Sequence, residues 1–401
     1  MTEEKVQTFA AINSGSSTLK FGLFSIEEPL QQVVKGKISG IGSRKCSFSI
    51  MNSRKHSVLC DPVDVATMEK AATFVIKWLQ EHDQQYEILG IGHRVVHGGL
   101  KYNAPVCIDD EVLNDLNDLA GFAPLHMPDC IAVINVFRKA FPGVAEVACF
   151  DTAFHYQMPF EARHYAIPRY LWKDGIVRYG FHGISCEYVC RYFQEADLDI
   201  TSKKIIVAHL GSGSSMTAIK DGISIETTMG FTPAGGLIMN SRPGDIDPGI
   251  AGYLIRKGMN ADEIDELFNE QSGLKAIAES YHSIAQLQED EGSDPRAEQA
   301  IKMYCYQAKK QIGALTAIMG GVDLLVFTGG IGENDPPVRK QICEGLEFLG
   351  IELNDVLNNR SDEIISELRS NTIVYVIPAN EEAIIAGHVK EVSQKEFHSA
   401  K

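Results

Sequence analysis

The sequence predicts an α/β protein made of two similar halves, and three observations predict it. Apolar strands repeatedly run into a Gly-rich turn and then a helical stretch, the signature of strand–turn–helix units. A short hairpin pattern around Gly15 returns around Gly213, an offset of 213 − 15 = 198 in a chain of 401 residues. The length exceeds one ordinary domain, and 44% hydrophobic with 22% charged residues supplies ample core.

The first element is the stretch INSGSSTLKFGLF, residues 12 to 24. Leu19, Phe21 and Leu23 alternate with Lys20, Gly22 and Phe24, so a second strand follows the turn. Ser14, Gly15, Ser16 and Ser17 form a tip whose small residues let backbone N–H groups approach an anion. Val65, Met68, Phe74, Val75, Trp78 and Leu79 recur at helical spacing over residues 65 to 80. GIGHRVVHGGL then sets His93, Arg94 and His97 beside paired glycines, and an arginine fork suits a carboxylate or a phosphate. PLHMP holds His126 between two prolines. Val147 to Phe150 read as a strand that ends on Asp151. RYGFHG supplies Arg178 and His182, and IIVAHLGSGSSMTAI supplies His209 and the second hairpin. Arg242, Asp245 and Asp247 lie in NSRPGDIDPG. Residues 286 to 295 read as an acidic surface loop. Ile301, Tyr304, Cys305, Ala308, Ile312, Leu315 and Met319 mark one face of a helix over residues 297 to 319. A strand from Leu324 to Phe327 runs into a Gly-rich turn, and TIVYVIPANEEAIIAGHV gives a buried strand with a helix starting near Asn380.

Composition excludes several function classes. The charge is 37 − 53 = −16, which disfavours nucleic acid as a partner. No apolar run reaches the length of a membrane span, and MTEEKVQ does not resemble a signal peptide. Nine cysteines without a C-x-x-C pair fit a reduced, cytoplasmic protein, with Cys186 and Cys190 on one helix face. The Walker A pattern, G-x-S-x-G, H-E-x-x-H and H-R-D are all missing, and G-x-G-x-x-G fails at Met216. Two phosphate-type hairpins, two arginines in Gly-rich turns and histidines in separate loops favour phosphoryl transfer.

Taken together, AAINSGSSTLKFGLF, GIGHRVVHGG, APLHMP, FDTAFH, YGFHG, HLGSGSS, MGFTPAGGLIMNSRPGDIDPG, FTGGIGEN and IPANEE resemble the acetate kinase family, in that family's order and over nearly the whole chain. The resemblance implies two duplicated ribonuclease-H-like (actin-like ATPase) domains around a central cleft. The start of the second half sets the boundary near residue 150; the domains are then residues 1–150, completed by a C-terminal helix 382–401, and 151–381, the latter with the nucleotide site and the dimer surface that the resemblance implies. It implies a homodimer that converts ATP and acetate to ADP and acetyl phosphate with Mg²⁺, or with Mn²⁺ in its place.

Carried over residue by residue, the resemblance makes Arg94, Asp151, His182 and Arg242 the catalytic set, with His126 sharing transition-state stabilisation. Arg94, Val96, Leu125, Phe181 and Pro233 would bind acetate, the apolar four around its methyl group. The nucleotide would be held by Ser14 to Ser17, Lys20, His209, Leu210, Gly211, Ser212 and Gly213, and by Gly329, Gly330, Ile331, Gly332, Glu333 and Asn334. Asn13 and Glu381 match the metal positions. Two departures bear on the phosphoryl donor: Ser283 and Ala285 stand where the family carries Asp and Arg, and Ser212 stands where it carries Asn. Propionate or another short-chain acid stays open as acceptor, and pyrophosphate as donor. A non-catalytic nucleotide-binding switch is disfavoured, because Arg94, His182 and Arg242 are all present.

Overall fold

The computed structural model describes residues 5–52, 57–279, 283–289, 292 and 294–399. It divides into two compact units, one formed by residues 1–153 with 380–401 and the other by residues 154–379.

The first unit is built on an eight-stranded sheet. Its strands are β1 (Val6–Ser14), β2 (Thr18–Ser25), β3 (Gln32–Ser39), β4 (Ser47–Asn52), β5 (Ser57–Pro62), β6 (Tyr86–Val95), β7 (Val106–Cys107) and β8 (Ala145–Phe150), in the order β5-β4-β3-β2-β1-β6-β8-β7. The first hairpin is antiparallel with Asn13 opposite Lys20, whereas β1–β6 and β6–β8 are parallel. Alternate residues face opposite sides of a sheet. Ala10, Ile12, Leu19, Phe21 and Ile91 therefore share a core with the helices Met68–Glu81 and Met127–Ala140. On the other face, glycines make room for the helix Glu381–Ser399: a Cβ on Gly92 would lie 2.4 Å from Ile385 Cγ2 and 2.7 Å from Val389 Cγ2.

The second unit carries β9 (Lys204–Leu210), β10 (Ser214–Lys220), β11 (Ile223–Thr227), β12 (Leu324–Thr328) and β13 (Ile373–Val376), in the order β11-β10-β9-β12-β13. β9 and β10 form the second antiparallel hairpin, and β9–β12 and β12–β13 are parallel. One face packs Ile206, Ala208, Met216 and Phe327 under the long helix Pro295–Met319. The other packs Ile205, Val207 and Val326 under the helix Gly183–Glu195, where Cys186 and Cys190 are both buried.

Three expectations need correction. The acidic stretch from residue 286 is not a continuous loop, because a helix spans Ile284–Glu289 and the long helix already begins at Pro295; residues 290, 291 and 293 lie outside the described set. Ile284 and Leu287, three apart and buried, supply the apolar face that the surrounding acids obscure. The Gly-rich turn after β12 is a six-residue helix, Gly329–Asn334. The helix expected at residues 65 to 80 starts at Met68, because the Thr67 side chain accepts the Lys70 N–H and caps it there. Among the described residues, no helix is long and apolar enough to cross a membrane.

Candidate active site

In the first unit the candidate residues gather where β1, β6 and β8 end side by side. Arg94, the penultimate residue of β6, donates from Nε and Nη2 to Asp151 Oδ2 at 3.0 and 2.5 Å, and from Nη1 to the carbonyl of Ser14 at 2.9 Å. Asp151 is fully buried, and the arginine side chain is 15% exposed. Burial works against the guanidinium charge, but Asp151, helped by Glu381, more than offsets it and holds the group above its ordinary pKa. A cation is thus fixed beside the phosphate-type hairpin.

Asn13, one residue before the hairpin tip, donates from Nδ2 to Glu381 Oε2 at 2.6 Å and to Glu382 Oε1 at 2.9 Å. These carboxylates open the helix Glu381–Ser399, where acidic side chains in the first turn also complement the helix dipole. Ser14 Oγ lies 3.5 Å from the thiol of Cys130, whose pKa is pushed up by burial. His126 stands at the N-cap of the helix Met127–Ala140. Val96 is buried and Leu125 is exposed. Lys20 is partly exposed on β2, in register with Asn13 on one side and Lys37 on the other.

In the second unit His182 precedes the helix Gly183–Glu195 with φ +58°, a left-handed conformation uncommon outside glycine. Its Nδ1 is 2.9 Å from Ser215 Oγ, and its ring stacks on His209 with centroids 4.2 Å apart. His209 Nδ1 is in turn 2.9 Å from Ser185 Oγ. The hairpin Leu210, Gly211, Ser212 and Gly213 borders this pair, since a Cβ on Gly213 would sit 3.3 Å from His182 Nε2.

The glycine helix that follows β12 closes against the same hairpin. Gly329 has φ +79°, and a Cβ there would strike the Leu210 carbonyl at 2.7 Å, whereas Gly330 faces open space. Glu333 Oε1 accepts the backbone N–H groups of Gly329 and Ala379, and Asn334 Nδ2 donates to the Gly330 carbonyl. Arg242 occupies a separate loop, donates to the Pro233 carbonyl at 3.3 Å, and has its pKa lowered by burial. Phe181 is buried, and Pro233 is partly so. Ser283 caps the helix Ile284–Glu289 by exchanging hydrogen bonds with Gln286, and Ala285 is exposed on that helix.

The structure therefore assembles Asn13, Ser14, Arg94, Asp151 and Glu381 in one unit, and His182, His209, Gly211–Gly213 and Gly329–Asn334 in the other. Sequence reasoning missed Glu382, Ser185, Ser215 and Arg339. The last is completely buried and braces the glycine helix: Nη1 donates to the carbonyls of Gly332 and Glu333, and Nε and Nη2 donate to Asn358. Burial lowers its pKa to about 10. In NDPPVRKQIC it reads as one more surface charge, whereas Glu382 was visible as the second acid of IPANEE.

Comparison with known proteins adds the following. A model of the acetokinase family matches residues 8–387. An acetate kinase from Methylocella silvestris is 40% identical over 393 residues, covering 94% of this chain and 96% of that protein. The crystal structure of Porphyromonas gingivalis acetate kinase is 33% identical with a TM-score of 0.84, covering 96% of this chain and 100% of that one. A propionate kinase from Francisella tularensis is 33% identical with a TM-score of 0.87 over the same shares.

Proposed function

Because the chain belongs to the acetokinase family, we infer that it is an acetate kinase, transferring the γ-phosphoryl group of ATP to acetate in a reversible reaction. The observation that carries this reading is the Arg94–Asp151–Ser14 clamp, a fixed cation at the end of the phosphate-type hairpin within a family-wide match. An acetate oxygen attacks the γ-phosphorus, the bond from that phosphorus to the β,γ-bridging oxygen breaks, and ADP leaves with the electron pair. Acetate is already ionised near neutral pH, so no general base is required. What the protein must supply is positioning and relief of the repulsion between two anions.

In this mechanism Arg94 and Arg242 draw in the carboxylate and the γ-phosphoryl oxygens, and Asp151 keeps Arg94 aimed. His182 meets the equatorial oxygens in transfer, with His126 and His209 in support. Ser14, Gly15, Ser16, Ser17 and Lys20 hold the phosphate tail. Gly211–Gly213 and Gly329–Asn334 hold the nucleoside side, with Glu333 and Arg339 bracing the backbone behind it. Asn13, Glu381 and Glu382 offer oxygen donors of the type Mg²⁺ prefers. An asparagine with carboxylates suits Mg²⁺, which keeps much of its hydration; among the described residues no three His, Cys, Asp or Glu side chains gather into a metal-holding group. Bound there, Mg²⁺ or Mn²⁺ would neutralise charge on the phosphate oxygens.

The finer architecture belongs to the same proposal. Each unit repeats one pattern: three antiparallel strands, β3-β2-β1 or β11-β10-β9, followed by two parallel ones, β6-β8 or β12-β13. That repetition supports two duplicated ribonuclease-H-like domains. A homodimer is supported by the helix Gly249–Arg256, which buries none of its residues and leaves Ile250, Tyr253 and Ile255 43%, 54% and 57% exposed. Light scattering should report a dimer that Ile255→Asp converts to monomer; an unchanged mass would remove that face. The abundance of buried free cysteines supports a cytoplasmic setting.

A second reading, propionate as the preferred acceptor, is favoured by the likeness to the propionate kinase. The deciding experiment measures acyl phosphate by hydroxamate formation with acetate, propionate and butyrate, using ATP, GTP or pyrophosphate as donor. Acetate with ATP should give the highest kcat/KM. Highest turnover with propionate would move the assignment to that acid, and activity confined to pyrophosphate would displace ATP.

A further inference from the structure

Four residues beyond Asp151, the chain carries a histidine that the proposed chemistry does not use. His155 ends a short turn, Ala153–His155, just past the point where the chain enters the second unit. It is 1% exposed. Its Nε2 lies 3.0 Å from the carbonyl of Phe181, and its Nδ1 lies 2.9 Å from Ser224 Oγ on β11. A carbonyl can only accept, so Nε2 carries the hydrogen. Burial pushes the His155 pKa down to about 4, so the ring is neutral near neutral pH and Nδ1 accepts from the Ser224 hydroxyl. The tautomer is thus fixed from both ends.

The carbonyl it holds belongs to the peptide that leads into His182. Two features make that stretch unusual. Gly180 has φ +75°, and a Cβ there would meet the His155 ring at 2.7 Å, so the ring packs directly beneath the glycine. His182 itself has φ +58°, a conformation that persists when its surroundings impose it. Fixing the Phe181 carbonyl fixes the plane of the 181–182 peptide. That plane sets where the His182 side chain leaves the backbone, toward Ser215 and the stacked His209.

We propose that His155 is a positioning residue for His182: by donating from Nε2 to the Phe181 carbonyl, it holds the left-handed turn that aims the His182 imidazole. The proposal rests on the reading of His182 as the group that meets the transferring phosphoryl. His155→Leu removes the donor, His155→Gln keeps an N–H near the position of Nε2, and Ser224→Ala releases the far side of the ring. In steady-state assays with acetate and ATP, His155→Leu should lower kcat at least tenfold with both KM values within about twofold, because substrate-holding groups such as Arg94 are untouched. His155→Gln should recover most of the loss, and Ser224→Ala should show a smaller loss of the same kind.

A double-mutant cycle with His182→Ala separates positioning from general stability. With His182 removed, His155→Leu should cost less than threefold further. Should His155→Leu fail to fold, Ser224→Ala takes its place in the cycle. Equal losses in both backgrounds, or a His155→Leu enzyme with unchanged kcat, would overturn the proposal. A wild-type protein without acetate-dependent phosphoryl transfer would instead overturn the functional reading on which it rests.

Discussion

Arg94 donates from three different nitrogens to two acceptors, Asp151 Oδ2 twice and the Ser14 carbonyl once, and that geometry determines how it can fail. Its partner Asp151 is fully buried, so removing either member strands the other's charge in a site of low polarity. Breaking such a pair costs about 3–5 kcal/mol. Arg94→Ala and Arg242→Ala should each lower kcat/KM by two orders of magnitude or more, with a folded protein by circular dichroism. Near-wild-type turnover in either variant would remove the proposed mechanism. Val96 makes a subtler prediction. If it lines the methyl pocket, Val96→Ala should raise the propionate/acetate ratio of kcat/KM by roughly tenfold, since one methylene is worth ~1–3 kcal/mol. An unchanged ratio would place Val96 outside the pocket. Arginines and histidines in Gly-rich loops stood out in the sequence because loops set among glycines have little structural use for them. Arg339 did not stand out, because its partners are backbone carbonyls and an asparagine 19 residues away. No local pattern marks an arginine whose role is to hold carbonyls.

At the level of elements, the hairpins were the most legible features. Period-two alternation and small residues at the tip determine strand, turn and strand locally, and β1–β2 and β9–β10 both pair antiparallel. The helix Ile284–Glu289 was hidden because two buried apolar residues had to be recognised within an acidic run. Strand order was illegible, since β1 pairs with β6 across some eighty residues and no local rule selects that partner. Gly92 shows what a strand glycine does here. It leaves the hollow into which Ile385 and Val389 pack. Gly92→Ala should destabilise the protein by about 1–3 kcal/mol through overpacking, read as a lower denaturant midpoint with an unchanged slope. Pairing it with Ile385→Ala should return part of the loss, and a Gly92→Ala protein of wild-type stability would show that the helix is not so closely seated.

For the whole molecule, two neutral histidines shape the response to acid. Burial lowers the pKa of His97 in the first unit and of His155 in the second, each to about 4 from 6.5. Between those values the unfolded chain binds a proton at each position and the native chain does not. Stability therefore rises with pH across that window, and it is lost as pH falls from 6.5 toward 4. Each site contributes at most ~3 kcal/mol. Urea midpoints should drop steadily over this range, and His97→Gln should flatten the drop, provided the variant folds. A midpoint independent of pH from 7 to 4.5 would contradict the burial of both rings.

The first unit contains residues from two distant stretches of chain, and this has a consequence for synthesis on the ribosome. Asn13 finds its carboxylate partner 368 residues later, at Glu381. At roughly 5–20 residues per second, a nascent chain waits on the order of 20–70 s between making one and making the other. During that interval the sheet face carrying Gly90 and Gly92 lacks the helix that covers it. The second unit, continuous in sequence, can fold first. A nascent chain interrupted before residue 381 would carry both hairpins and both arginines yet lack the carboxylates of the proposed metal site, so truncated products should be unable to consume ATP.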